Sequence, residues 1–423
     1  MVVKHLLAIN RRLKPLNAVI NAPVITPDGD VLDRPGYDPK TKLYLDMREK
    51  PPTVPKRVDE ATAHEALTRL MVPFNEFCVA SAQDRGVLLA AVLTAVLRPV
   101  LPTAPAIGLD APVQGTGKTL LALCLGALAT GAVPAVYPHT AGRDDEEVRK
   151  RLTSILATGT RVIVWDNVLG HFDSAAIAAL LTSQTYSDRV LGKSETATLP
   201  NKALFLITGN NLSLAGDMPR RVLTCRLDAQ MDNPAFRKFD GNPLEYIRQH
   251  RQELVCAALT LVRGYQQSEA ANNGGAVPGE TTASFEEWDA LVRQPVAWVA
   301  QSFPGRYADA GEALKEAVNN DPETADLGEI HKCLLTLFGT REFTAKEMVA
   351  ACGPAPFADF ADDERRAAAD NLRQILEDVL GHRLNPRSVG RYLGYRVGRM
   401  VDGQRLVSRS RKKTKHFRLE VPF

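Results

Sequence analysis

A glycine-rich turn followed by a lysine and a threonine is the part of this chain best suited to hold an anion. The segment APVQGTGKT occupies positions 111–119. Backbone N–H groups of such a turn can surround phosphate oxygens, while the lysine reaches the outer phosphates and the threonine hydroxyl binds Mg²⁺. A helix expected over 119–130 points its N-terminal dipole at the same anion. We therefore expect a nucleoside triphosphate here, held by Pro112, Val113, Gln114, Gly115, Thr116, Gly117, Lys118, Thr119 and Leu120.

The loop departs from the usual pattern at its first position. A glycine normally stands six residues before the lysine, and Pro112 occupies that place. Proline fixes φ near about −65° but removes no contact that the last four residues of the loop make. We interpret the segment as a variant phosphate loop. The alternative is a glycine turn that only caps an apolar helix.

The region 105–228 alternates between buried-type strands and helices. Apolar runs of strand length occur at 106–110, 135–138, 161–165, 203–208 and 222–227. This rhythm predicts an α/β fold with a five-stranded, mostly parallel sheet. Ligands of such sheets bind at the carboxyl ends of the strands, where the phosphate loop also lies.

Acidic residues follow two of these strands. Asp166, after RVIVW, is expected to hold Mg²⁺ on the β- and γ-phosphates, although a turn or helix-cap aspartate is the alternative. Many ATPases place a glutamate next to activate water, but here Asn167 follows and cannot act as a base. We expect Glu146 or Glu147 to supply the carboxylate. Both lie just past the second strand, 135–138, which should adjoin the glycine-loop strand or lie near it. The alternative is simple charge at a helix N-terminus.

Two more polar pairs lie near the last two strands. An asparagine pair follows the strand at 203–208, and an arginine pair precedes the strand at 222–227. Asn210, with Asn211 as second choice, is expected to hydrogen-bond the γ-phosphate and the attacking water, unless the pair is only a turn. Arg220 and Arg221 are expected to reach the nucleotide of a neighbouring subunit. The alternative is a surface pair or a salt bridge with Asp217.

The order of these motifs resembles that of the AAA+ ATPases, and most closely the superfamily 3-type replicative helicases of phages, plasmids and integrative elements, which are often fused to primases. The resemblance covers 100–230 well, and 60–100 loosely as a helical collar. It implies a ring-shaped homo-oligomer, a hexamer, with DNA in its channel. It also implies a lysine-bearing loop that grips single-stranded DNA, matched by Lys193 with Arg189 and Lys202 as helpers. A plain β-turn at LGKS is the alternative.

The C-terminal segment is strongly basic. Residues 383–418 contain twelve Lys or Arg and one acid, Asp402. A winged-helix domain is predicted from the order of a helical stretch FTAKEMVAAC, a second helix, the stretch LNPRSVGRYLGYR and a basic hairpin. The alternative is that the basic residues are only a solvated charge run. Cationic side chains of this kind bind the phosphates of double-stranded DNA. The expected contacts are Arg387, Arg391, Arg396, Arg409, Arg411, Lys412, Lys413 and Lys415.

Bulk properties limit the remaining possibilities. We see no apolar run of bilayer length, no secretion leader and no CxxC pair among six cysteines, so a cytoplasmic protein without a membrane span is expected. The expected segments are a small β-containing piece at 1–58, a helical collar at 59–104, the ATPase core at 105–230, a helical lid and linker at 231–325, and the winged helix at 326–423.

Together these features predict an ATP- and Mg²⁺-dependent DNA helicase or translocase that acts in replication of a mobile genetic element. A primase is a possible partner. Two alternatives remain open: an initiator or helicase loader that uses ATP as an assembly switch, and a DNA-binding initiator or repressor whose nucleotide site is only regulatory.

Overall fold

The computed structural model describes residues 14–47, 51–139, 145–189, 196–278, 282–319, 322–353, 363–381, 384–411 and 414–420. Structural statements below refer to these residues. The chain divides into two compact units, Met1–Val318 and Asn319–Phe423. No helix in the described ranges has both the length and the apolar content needed to cross a bilayer.

Short strands build the N-terminal piece. They are β1 (Ala18–Ile20), β2 (Val24–Ile25), β3 (Val31–Leu32), β4 (Gly36–Asp38) and β5 (Leu43–Leu45). β5 pairs in parallel with β1 and antiparallel with β4, while β2 and β3 form a hairpin around the Pro-Asp-Gly-Asp turn that the sequence predicts.

Two helices follow, α1 (Glu60–Met71) and α2 (Ala82–Leu97). The Asp59 side chain caps α1 by accepting from the Thr62 amide, and the Ser81 side chain caps α2 by accepting from the Asp84 amide. α2 is buried continuously from Gly86 to Leu97. The structure therefore places this apolar helix in the core.

The central region alternates strands and helices. In chain order they are β6 (Ala106–Ala111), α3 (Lys118–Thr130), β7 (Val136–Pro138), α4 (Asp145–Ala157), β8 (Val162–Val168), β9 (His171–Phe172), α5 (Ala175–Leu181), β10 (Thr185–Arg189), β11 (Thr196–Pro200), β12 (Leu204–Asn210), β13 (Ser213–Leu214) and β14 (Val222–Arg226).

Five of these strands form one sheet in the order β14-β6-β12-β8-β7, and every neighbouring pair is parallel. The predicted strands and the parallel α/β sheet are thus confirmed. Successive buried residues of β8 alternate between two cores. Val162 and Val164 belong to the core that contains α2 and α3, whereas Ile163 and Trp165 belong to the core that contains α4 and α5.

The position of β7 differs from the expectation. β7 pairs with β8 at the edge of the sheet, so β8 and β12 separate it from β6. A strand spacing of about 4.8 Å puts β7 about 14 Å from β6. The expectation that the second strand adjoins the glycine-loop strand is therefore wrong, because β12 pairs with β6 instead.

A hairpin lies between β8 and β12 where the sequence predicts a loop. β10 and β11 pair antiparallel from Thr185 opposite Pro200 to Arg189 opposite Thr196. Arg149 of α4 anchors it through a 2.7 Å salt bridge to Asp188. The tip, which includes Lys193, lies outside the described residues.

Helices complete the first unit: α6 (Pro243–Gln266), α7 (Glu269–Asn272), α8 (Glu286–Trp288), a π-helical segment (Asp289–Arg293), α9 (Gln294–Ser302) and α10 (Ala310–Asn319). α6 packs against α1 and α3. Arg293 is buried in the π-helical segment, where Asp289 and Asp309 both pair with it.

The second unit has its own core. Its elements are α11 (Pro322–Phe338), β15 (Phe343–Thr344), α12 (Ala345–Ala351), α13 (Asp363–Leu380), α14 (Pro386–Arg396), β16 (Met400–Val401), β17 (Gln404–Arg411) and β18 (Thr414–Glu420). The strands form an antiparallel sheet in the order β15-β18-β17-β16. Phe343 and Phe417 of this sheet pack in one cluster with Leu393 of α14.

Candidate nucleotide-binding site

The glycine-rich loop connects strand β6, the second strand of the sheet, to the N-terminus of α3. Gly115 and Gly117 adopt left-handed backbone angles, with φ of 82° and 96°. A Cβ on Gly115 would also lie 3.0 Å from the Ala235 Cβ. Glycine is therefore required at position 115 by both backbone conformation and space. The tight turn brings Lys118 directly to the first position of the helix.

Lys118 lies at the centre of the site. The residue is 9% exposed. Its Nζ donates to the Asn210 Oδ1 at 2.6 Å and to the Val113 carbonyl at 3.2 Å. Burial lowers the pKa of this amine, while the carboxylates of Asp110 and Asp166 act in the opposite direction. The structure thus brings together Lys118 and Asn210, which the sequence predicts at one phosphate site.

Asp166 is held by two hydroxyl groups. Thr119 Oγ1 donates to the Asp166 Oδ1 at 3.0 Å, and Thr208 Oγ1 donates to the same oxygen at 2.7 Å. Mg²⁺ prefers oxygen ligands and usually takes one or two carboxylates together with substrate phosphates. The hydroxyl of Thr119 and the carboxylate of Asp166 fit that donor set. Thr208 was not predicted, although a polar residue ending a buried strand was a usable signal.

A β-bulge explains how Asp166 and Thr208 meet. Ile207 lies opposite Trp165 and Gly209 lies opposite Val168, so Thr208 faces both Asp166 and Asn167. The strand therefore continues past Asp166, which the sequence predicts as its end. Asn167 has φ of 62° and donates its N–H to the Thr208 Oγ1 at 3.0 Å. Bulges are common beside active sites because they redirect one side chain.

An ion pair joins buried Asp110, near the end of β6, to the partly exposed Arg226 of β14. Asp110, at 4% exposure, accepts from the Arg226 guanidinium and from the Leu212 amide at 2.8 Å. Arg226 also donates to the Asn211 Oδ1 at 3.3 Å. Asn211 therefore faces Arg226, and Asn210 is the asparagine that faces Lys118. The sequence reasoning missed Asp110 and Arg226, although each is a charge at the end of an apolar strand.

Glu146 and Glu147 lie in the first turn of α4, beyond the edge strand. Both side chains are exposed, and the Lys150 Nζ lies 3.0 Å from Glu146 and 4.0 Å from Glu147. This is the helix N-terminal charge that the sequence offered as the alternative. Their role as a hydrolytic base stays a prediction, and the strand order removes its original geometric support.

Arg220 and Arg221 both pair with Asp217 of the same chain. Arg221 lies 3.3 Å from the Asp217 carboxylate and has a side chain 15% exposed, whereas the Arg220 side chain is 60% exposed. The salt bridge that the sequence offered as the alternative is thus present. The exposed Arg220 is the better placed of the two to meet another molecule.

Arg189 and Lys202, the predicted helpers of Lys193, lie in different environments. Arg189 is the last residue of β10, and it is exposed. Lys202 precedes β12 at its amino end, away from the nucleotide site, and its Nζ donates to the Leu101 carbonyl at 2.8 Å. Burial and nearby Arg98 lower the pKa of Lys202 to about 8. A half-buried lysine that binds a backbone carbonyl of its own chain is unsuited to grip DNA, so the expectation for Lys202 is corrected.

Five of the eight predicted DNA contacts of the second unit are exposed. The exposed cations are Arg387, Arg391, Arg409, Arg411 and Lys415. Arg411 also pairs with Glu342 at 3.1 Å. Lys412 and Lys413 lie outside the described residues. Arg396 is only partly exposed, since its guanidinium stacks 3.6 Å from the Tyr392 ring centroid. Tyr395, which the sequence reasoning missed, is 82% exposed.

Metal sites built from protein side chains alone are not found. Within the described ranges no three His, Cys, Asp or Glu residues cluster in a way that could hold a metal ion. Five of the six cysteines are buried and all are free thiols.

Comparison with known proteins gives weak similarities. No protein-family model matches the chain, and no curated protein matches it. An apo structure of the NrS-1 C-terminal region is 11% identical, with a TM-score of 0.39, over 91% of this chain and 84% of that chain. The SCCmec type IV Cch active helicase is 13% identical, with a TM-score of 0.35, over 99% of this chain and 82% of that chain. The X-ray structure of JCV helicase is 14% identical, with a TM-score of 0.22, over 54% of this chain and 66% of that chain. Because these scores are low, the similarities carry no argument about what this chain does.

Proposed function

We propose that the chain is an ATP-driven DNA helicase or translocase of the AAA+ class. One observation carries the proposal. Lys118 contacts Asn210 while Thr119 contacts Asp166. A phosphate loop, a metal-binding pair and a polar sensor from three adjacent strands thus meet at the carboxyl ends of these strands. Parallel sheets bind their ligands at that end.

Each residue of this site has a distinct task in the proposed reaction. The backbone N–H groups of Gly115 and Gly117 bind the phosphates, and the Lys118 ammonium exchanges its present acceptors for phosphate oxygens. Thr119 and Asp166 hold Mg²⁺, which neutralises phosphate charge when bound. Asn210 contacts the γ-phosphate and orients the attacking water.

Two parts of the reaction need groups outside this cluster. Glu146 and Glu147 remain the candidate bases, and unchanged ATP turnover in both Glu146→Gln and Glu147→Gln would eliminate them. Arg220, with Arg221, is proposed to act on the nucleotide of the adjacent protomer in a homohexameric ring. Mixtures of Arg220→Ala and Lys118→Ala subunits should then recover part of the turnover, because each type supplies what the other lacks.

DNA is proposed to contact both units. The β10–β11 hairpin carries exposed Arg189 and, at its tip, Lys193, which we assign to single-stranded DNA in the channel. The second unit, proposed as a winged helix, presents exposed cations on α14 and on the β17–β18 hairpin to duplex DNA. The proposed setting of this activity is the replication of a mobile genetic element in the cytoplasm. A primase is the proposed protein partner.

The decisive test measures ATP turnover with and without single-stranded DNA, together with strand displacement on a forked duplex. Lys118→Ala and Asp166→Asn are the matched inactive controls. DNA-stimulated turnover with displacement supports the helicase. Turnover without displacement at any protein concentration supports the loader or initiator that uses ATP as a switch.

A regulatory nucleotide site is the second candidate, and one observation favours it. Asn167 occupies the position where a water-activating glutamate is usual, so the chain can bind ATP in a site that lacks the ordinary base. ATP binding by equilibrium dialysis, with no phosphate released even when DNA is present, would favour this candidate over the motor.

A further inference from the structure

An exposed aromatic ring and two exposed arginines lie on one helix of the second unit. Tyr395 is 82% exposed. Buried Val389, Tyr392 and Leu393 define the inner face of α14. Arg387, Arg391 and Tyr395 recur every four residues, so they share the opposite, outer face of the helix.

The β17–β18 hairpin extends this surface. A Cβ on Gly394, next to Tyr395, would lie 3.3 Å from the Lys415 Nζ. Lys415 pairs in register with Ser410, so its side chain lies on the face of the sheet opposite to that of Arg409 and Arg411. Lys415 therefore adds one cation beside α14, next to the residue that precedes Tyr395.

The two kinds of group on this surface suit two parts of one partner. Guanidinium and ammonium groups bind phosphates and carry no preference for bases. An aromatic face stacks on the face of a base, and such stacking tolerates any sequence. Bases inside a duplex are covered above and below by their neighbours, so an uncovered base face occurs only where pairing ends.

We propose that this surface recognises the junction between duplex and single-stranded DNA, with Arg387, Arg391 and Lys415 on duplex phosphates and Tyr395 stacked on the first unpaired base. The inference rests on the proposed binding of DNA by this unit. It adds the structure of the DNA that the unit selects and the residue that selects it.

The test uses the full chain without nucleotide and compares two labelled DNAs by fluorescence anisotropy, a forked duplex and a fully paired duplex of equal length. The variants are Tyr395→Ala, Tyr395→Phe and Arg391→Ala. Tyr44→Ala, an exposed tyrosine of the N-terminal piece at 44% exposure, is the matched control. Thermal unfolding of each variant shows that the fold is retained.

Tyr395→Ala should weaken fork binding roughly 5- to 150-fold, with little change for the paired duplex and an unchanged salt slope. Tyr395→Phe and Tyr44→Ala should bind as the unmodified chain does. Arg391→Ala should weaken both DNAs and reduce the slope of log K against log salt by about 0.9.

Equal weakening of fork and duplex by Tyr395→Ala would place the ring on a base edge or phosphate and overturn the proposal. So would an unchanged fork preference. If the unmodified chain binds neither DNA, the proposed DNA-binding function fails and the inference with it. If it binds both and Tyr395→Ala keeps the preference, only the inference fails.

Discussion

Thr208 links the bulge of β8 to the proposed metal ligand, so its hydroxyl offers a sharp test of the site. The residue is 2% exposed. Its Oγ1 accepts from the Asn167 amide at 3.0 Å and donates to the Asp166 carboxylate at 2.7 Å. Valine has nearly the same shape but neither function, so Thr208→Val breaks both hydrogen bonds and leaves little cavity.

The expected losses follow from the two bonds. A buried N–H left without an acceptor costs about 1–3 kcal/mol of unfolding free energy, and a hydrogen bond to a charged group contributes about 1.5–3 kcal/mol. We therefore expect Thr208→Val to lose about 2 kcal/mol or more. Because Asp166 loses a group that orients it, the Mg²⁺ concentration for half-maximal ATP turnover should rise about 10- to 100-fold.

The controls separate the hydroxyl's role from its bulk. Thr260 is also buried, at 6% exposure, but its hydroxyl bonds only the Cys256 carbonyl one turn back in its own helix. Thr260→Val should cost less than about 1 kcal/mol and leave the Mg²⁺ dependence unchanged. Thr208→Ser, which keeps the hydroxyl, should preserve most of the metal affinity. If Thr208→Val matches Thr260→Val in thermal unfolding and Mg²⁺ titration, the hydroxyl does not hold Asp166 and the reasoning fails.

Three further changes test other parts of the molecule. Lys118→Ala should abolish the rise in melting temperature that Mg²⁺-ATP produces in the unmodified chain, since a ligand stabilises only the form that binds it; an equal rise would remove Lys118 from the phosphate site. Asn167→Ala should lower unfolding free energy by about 1–2 kcal/mol because alanine resists left-handed φ, whereas Asn167→Gly should cost much less; equal costs measured by urea unfolding would contradict this. Burial lowers the pKa of Lys202 from 10.5 to about 8, so the unfolded chain binds more protons between those values and stability should rise with pH across that window; melting temperatures at pH 7.5 and 9.5 should show a smaller rise in Lys202→Met, and identical pH responses would contradict the burial argument.

The sequence predicted four strands of the sheet well because β6, β8, β12 and β14 are largely buried on both faces. Runs such as VIVW and LFLI have no polar alternation, which is typical of parallel strands covered by helices on two sides. The positions of Lys118, Asp166 and Asn210 in the sequence predicted that they lie close together for a related reason. Each residue follows or ends such a strand, and the carboxyl ends of parallel strands lie on the same side of the sheet.

Features that depend on long-range pairing could not be predicted in the same way. The order of strands decides that β7 is an edge strand, and with it where Glu146 and Glu147 lie. Lys202 looks like any surface lysine until the segment after α2 supplies the Leu101 carbonyl that binds it. Arg396 is different, because Tyr392, one helical turn earlier, accepts its guanidinium on the ring face, and the spacing of four residues was a usable local signal.

The bulge also accounts for the asparagine that follows Asp166. Asn167 has φ of 62°, a conformation that asparagine adopts more readily than glutamate. Its backbone N–H binds Thr208, which binds Asp166, so position 167 acts on Asp166 through its main chain. A glutamate there would strain the bulge that orients Asp166. Under the proposed function, a water-activating carboxylate must then come from another segment or another protomer. Because the proposed site takes its arginine from the adjacent protomer, it depends on assembly, and turnover per protomer should therefore rise steeply with protein concentration.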